Sequence, residues 1–145
     1  MEYEGERLPE SDRIVRYDNH DMFCPAASGS ARFESMIIVP ASMGSIGRIA
    51  SGVSSSLIER AADVMLKERR RLVCVVREAP YSSLHLRNMA ALTDAGAVIL
   101  PASPSFYSHP HTVEQLAATV TERILAQAGV VPVSYTHLTL PTSDL

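Results

Sequence analysis

The apolar positions of this chain fall into short unbroken runs separated by longer amphipathic stretches, and the alternation predicts its architecture. Met36-Ile37-Ile38-Val39, closed by Pro40, forms one run; residues 72–77 (LVCVVR) form a second and residues 97–100 (AVIL) a third. Runs this short and this uniformly apolar read as strands covered on both faces. Between and after them the period becomes helical, from about residue 45 to 70, from about 83 to 94 and over 112–128. In the last of these Val113, Leu116, Ala117 and Val120 share a face behind a Thr112 cap. Gly52-Val53-Ser54-Ser55-Ser56 is poor helix material, so the first helix is expected to break there, with Ser54 to Ser56 available to cap a second segment; Gly96 ends the middle helix. Strands alternating with helices imply an α/β fold, a parallel sheet covered by helices. A doubly wound sheet has five or six strands, and no strand-glycine-helix unit precedes residue 36, so the first part of the sheet is expected to be missing from these residues.

Composition and charge remove several function classes. At 145 residues and 46% apolar content the chain suits one domain with a substantial core. Residues 1–13 are polar and acidic without a sustained period and are set apart from the domain proper, residues 14–130. A net charge of −3, with no basic tract beyond residues 67–71, argues against nucleic acid as a partner. No apolar run approaches a membrane span and no leader pattern is present, so a cytoplasmic location is expected. Cys24 and Cys74 are too few for a disulfide framework and read as buried thiols. Twelve of the thirteen basic residues are arginine, which leaves Lys67 as the single lysine.

Chemistry-bearing residues gather where α/β proteins use them. Ser42-Met43-Gly44-Ser45 follows the first strand and opens the first helix. Free N–H groups in a helix's first turn favour an anion, and open α/β sheets collect ligands at the carboxyl ends of their strands. Taken alone, though, this is equally an ordinary strand-to-helix turn. Arg77 and Glu78 stand at the corresponding end of the second strand, where a surface ion pair would serve as well as a binding role. Arg60, Asp63 and Lys67, at i, i+3 and i+7, share a helix face in the manner of a solvated salt-bridge stripe. Tyr107 and Arg123, each by itself, read as a loop aromatic and an exposed helix charge. His109 and His111 flank Pro110 with no third ligand at metal spacing, so no metal is expected.

Five strings together narrow these alternatives. Residues 40–45 (PASMGS), 61–70 (AADVMLKERR), 76–80 (VREAP), 85–89 (HLRNM) and 101–107 (PASPSFY) resemble, in consistent order within residues 17–130, the flavin prenyltransferases of the UbiX family. The resemblance implies a three-layer flavodoxin- or Rossmann-like sheet with helices on both faces. It also implies binding of reduced FMN and transfer of a dimethylallyl group to it from dimethylallyl phosphate, with N5 alkylation and C6 ring closure. The product, prenylated FMN, would serve UbiD-type decarboxylases. On this basis Ser42, Met43, Gly44 and Ser45 would contact FMN, Arg77 would contact FMN or the substrate phosphate, and Glu78 would be the acid/base group. Arg60, Lys67, Tyr107 and Arg123 would hold the substrate phosphate, Lys67 reaching across from a neighbouring subunit. A homo-oligomer is implied, a dodecamer by family resemblance.

Two other readings compete, and two features depart from the family pattern. A non-catalytic FMN-binding assembly subunit would keep the fold without turnover; a decarboxylase of the phosphopantothenoylcysteine type would need a Pro-x-Met-Asn run that is absent. Neither the Gly-Ala-Ser-Gly turn of the family nor its further acidic residue is found before Ile14, so these residues alone are expected to lack part of the FMN site and to be inactive, unlike the parent enzyme. Residues 133–145 shift to Thr, Ser, Leu and Pro and resemble the translation of a sequencing adaptor, so a non-native tail is expected there.

Overall fold

The computed structural model describes residues 11–130; the acidic stretch 1–10 and the tail expected to be non-native, 133–145, lie outside the described residues. Three parallel strands, β1 (Ser35–Ala41), β2 (Arg71–Val76) and β3 (Val98–Pro101), lie in the order β1-β2-β3. Ile37 pairs with Val73 and Val73 with Val98, so the strands run in step and their carboxyl ends finish side by side. The pairing register shifts between Ile38 and Ala41, where Pro40 has no N–H to offer the ladder.

Period-two alternation in β2 assigns its side chains to two cores. Leu72, Cys74 and Val76 pack with Ile46, Ile49, Ala62, Met65, Met89 and Leu92 from three helices on one face. Those helices are α1 (Met43–Ala50), α2 (Leu57–Lys67) and α3 (Ser83–Asp94). Val73 and Val75 pack on the other face against Ile124 and Ala128 of α4 (Val113–Ala128). Each fully buried side chain of this kind contributes about 1.5–3 kcal/mol, which makes β2 the centre of the fold. The three-layer α/β arrangement expected from the sequence is therefore present, with helices on both faces.

Local boundaries have physical causes. The helical stretch from about 45 to 70 breaks where the sequence predicted: Ser56, in extended conformation, accepts a hydrogen bond from the Glu59 N–H and starts α2. The first helix begins at Met43 because Ser42 caps it, accepting from the Ser45 N–H at 3.1 Å. The second strand ends at Val76, so Arg77 lies just past it, and the third is displaced by one residue to Val98–Pro101. Gly96, at φ 104, supplies the left-handed turn that ends the α3 region, and Thr112 caps α4 as expected. Residues 14–34 carry two short 3-10 turns and wrap α2: the Asn19 carbonyl accepts from the Leu57 N–H at 2.8 Å and its side-chain oxygen from the Ile58 N–H at 3.0 Å.

Candidate functional site

The carboxyl end of the sheet brings one group of the expected residues together. Ala41 is paired with Val76 and Val76 with Pro101, so Ser42, Arg77 and Ala102 emerge from adjacent strands. The Ala102 N–H donates to the Val76 carbonyl at 2.8 Å, which holds the start of the following loop beside Arg77. Ser42 spends its side chain on capping, and its hydroxyl lies 3.1 Å from that of Ser45. The N–H groups of Met43 and Gly44, in the first turn of α1, have no acceptor within the helix. A Cβ on Gly44 would come within 3.2 Å of the Arg48 guanidinium, so the turn is closely backed.

Arg77 is exposed, and among the described residues it has no hydrogen-bond or ion-pair partner. Glu78, half-buried, accepts from the Ala79 N–H at 3.2 Å and does not pair with Arg77. The surface ion pair that the sequence alone allowed is thus not what holds these two. An unpaired guanidinium beside open N–H groups can bind an anion; a half-buried carboxylate next to it can exchange a proton.

Two further expected residues follow β3 in the chain, Tyr107 in the loop and Arg123 on α4. Arg123, on α4, lines a groove of about 510 Å³ with Ser103, Ser105, Thr119 and residues of β3. Tyr107, 80% exposed, sits in the loop that leads from β3 to α4.

Arg60 and Lys67 do not join either group. Arg60 Nε donates to the Ala27 carbonyl at 3.2 Å and a terminal nitrogen to Asp63 Oδ2 at 2.9 Å, as the i, i+3 spacing predicts. Lys67, the last residue of α2, precedes the start of β2 by only four positions, so it lies at the amino end of the strands, the opposite end from Arg77. Its Nζ is 2.7 Å from Glu68 Oε1 rather than engaged with the Arg60–Asp63 stripe.

Sequence reasoning overlooked a buried carboxylate near the site. Glu59, 3% exposed, accepts from Arg48 Nε, from the Ser55 N–H at 2.8 Å and from the Ser55 hydroxyl at 2.6 Å. These hydrogen bonds, Ser55's first and Arg48's next, hold its pKa down at about 2. The signal for it was the Ser56-x-x-Glu59 spacing, a helix-start pattern whose carboxylate is used here by the residue before the cap. Cys74 is buried, as is Cys24, and burial pushes the Cys74 thiol up to about 11, so it is no nucleophile at neutral pH. Among the described residues no helix is long and apolar enough to cross a membrane.

Known proteins resemble this chain in sequence and in fold. A family profile described as Flavoprotein matches residues 7–125. A protein of Thermoplasma acidophilum named flavin prenyltransferase UbiX is 45% identical over 133 residues, 90% of this chain and 74% of that protein. The chain belongs to the flavoprotein family and, within it, to the UbiX group. Flavin prenyltransferase UbiX of Pseudomonas aeruginosa is 52% identical to this UbiX-group chain over 118 residues, 81% of the chain and 56% of the relative. The chain thus spans little more than half the length of that relative. The crystal structure of AnUbiX in complex with FMN and dimethylallyl pyrophosphate superposes with a TM-score of 0.77 at 48% identity, covering 79% of this chain and 61% of that one. A dodecameric FMN-dependent UbiX-like decarboxylase from Escherichia coli O157:H7 gives 0.78 at 40% identity, covering 83% and 65%.

Proposed function

We propose that this protein is a flavin prenyltransferase that transfers a dimethylallyl group from dimethylallyl phosphate to reduced FMN. The observation that carries the reading is the convergence of the Ser42–Ser45 turn and the unpaired Arg77 on one sheet end, with Arg123 in a groove at the neighbouring edge. The residues suit FMN: small side chains admit a flat ring and a phosphate to the backbone of the turn, while the Met43 and Gly44 N–H groups and Arg77 supply donors for anionic oxygens. Bound reduced FMN supplies the nucleophile for the alkylation.

The chain's own residues would do the rest. Arg123 and Tyr107 bind the phosphate of the donor and stabilise the charge that grows on it as the carbon–oxygen bond breaks. Lys67 would complete this group from a neighbouring subunit, since within one chain it lies at the opposite end of the strands from Arg77, and Arg60 would also bind the phosphate. Glu78 would move the proton that the ring-forming carbon loses. A homo-oligomer follows from the borrowed side chains, and the dodecameric Escherichia coli relative supports a closed assembly of that kind. The product, prenylated FMN, would pass to a UbiD-type decarboxylase.

The test is anaerobic incubation of the protein, expressed from its whole gene, with reduced FMN and the donor, followed by mass spectrometry of the flavin. Dimethylallyl phosphate and dimethylallyl pyrophosphate are run in parallel, because AnUbiX was crystallised with the latter. A flavin carrying one dimethylallyl unit supports the reading. Bound but unmodified FMN with both donors would replace it with a non-catalytic flavin carrier.

A further inference from the structure

The loop between β3 and α4 is tied to the fold at both ends, and one side chain also ties its middle. At the start, the Ala102 N–H donates to the Val76 carbonyl at 2.8 Å. At the finish, the His111 N–H donates to Gln115 Oε1 at 2.7 Å and Thr112 caps the helix. Between them the Ser105 N–H donates to Thr119 Oγ1 at 3.0 Å. Thr119 donates its own hydroxyl proton to the Leu116 carbonyl at 2.7 Å, which leaves an oxygen lone pair turned toward the loop. The Tyr107 N–H then donates to Ser105 Oγ at 3.4 Å, so the tie reaches Tyr107 through a single residue.

Thr119 and Arg123 are four positions apart on α4 and line the same groove, together with Ser103 and Ser105. A phenol carried by a loop and a guanidinium carried by a helix can serve one phosphate only if loop and helix keep a fixed separation. We propose that Thr119 is a positioning residue for capture of the phosphate ester: its hydroxyl holds the Tyr107 loop in register with Arg123. The inference rests on the function proposed above. The role given to Thr119 is exerted through Ser105.

The experiment compares Thr119→Val, which keeps the branched shape and removes the hydroxyl, with Thr119→Ser, which keeps the hydroxyl, and with Arg123→Met, in the protein expressed from its whole gene. Hydrogen exchange of peptides covering 103–110 is measured without ligand, and KM for dimethylallyl phosphate, kcat and FMN affinity are measured with it. Thr119→Val is expected to speed exchange in that segment and to raise KM roughly three- to tenfold, the loss of about one hydrogen bond, with kcat and FMN affinity unchanged. Thr119→Ser should restore both. Unchanged exchange, or faster exchange with an unchanged KM while Arg123→Met raises it, overturns the role of Thr119 and leaves the functional reading standing. Absence of turnover in the parent protein, whatever the exchange pattern, overturns the functional reading and the role of Thr119 with it.

Discussion

Arg48 and Glu59, on successive helices, meet across the connection between α1 and α2: the guanidinium Nε donates to a carboxylate whose residue is 3% exposed. The opposite side of the same guanidinium backs Gly44 in the strand-end turn. One buried acid therefore closes the 51–56 connection through Ser55 and holds the arginine that packs behind the turn proposed to bind FMN.

Replacing Glu59 by Gln should destabilise the fold by about 1–3 kcal/mol, because a buried acceptor of a charged donor is exchanged for one that also brings unpaired N–H groups. Arg48, with 47% of its side chain exposed, can turn to water, which keeps the loss below that of a fully buried pair. Chemical unfolding of the two proteins measures it.

The same carboxylate carries a pH dependence with a defined sign. Its folded pKa, about 2, lies below the ordinary value of 4.5, so the stabilisation is complete above the ordinary value and is lost as pH falls toward 2. The difference in unfolding free energy between parent and Glu59→Gln should be flat at neutral pH and shrink through that window. A difference that grows on acidification would assign the opposite shift.

Arg77→Met should weaken FMN binding roughly tenfold to a hundredfold, the range for a lost charge-assisted hydrogen bond. Because Arg77 is exposed and unpaired, thermal stability should change by less than about 0.5 kcal/mol. Flavin titration and a melting curve separate the two effects.

Lys67 ends α2 at the amino end of the strands and Arg123 lies in the groove beside β3, and the proposed function draws the two from different chains. Lys67→Met and Arg123→Met should each abolish most turnover, and oligomers reassembled from the two variants should recover part of it. Reassembled oligomers as inactive as the separate variants would place both residues in one subunit's site.

Much of this was legible in the sequence because β2 is covered on both faces. From Leu72 to Val76 every residue is apolar and buried, and the small-residue turns after the strands mark the ligand end. The halves of the first helix were legible for the same reason, since Gly52 and three serines cannot sustain one. The Arg48–Glu59 clamp was not, because an acid and a base eleven positions apart show no helical spacing. Nor were the tie from Thr119 to Ser105 and the Asn19 contact with α2, which join residues 14 and 39 positions apart. The separation of Lys67 from Arg77 was visible only in outline: a helix returning to start β2 must end at the far side of the sheet, which the i, i+7 pattern does not say.

The most direct measurement is the mass of flavin recovered after the protein, reduced FMN and dimethylallyl phosphate are incubated without oxygen. Prenyl transfer predicts FMN enlarged by one dimethylallyl unit, formed by the parent and lost in Arg123→Met. Recovery of FMN unchanged from a protein shown to bind it, with either dimethylallyl ester, would contradict the account.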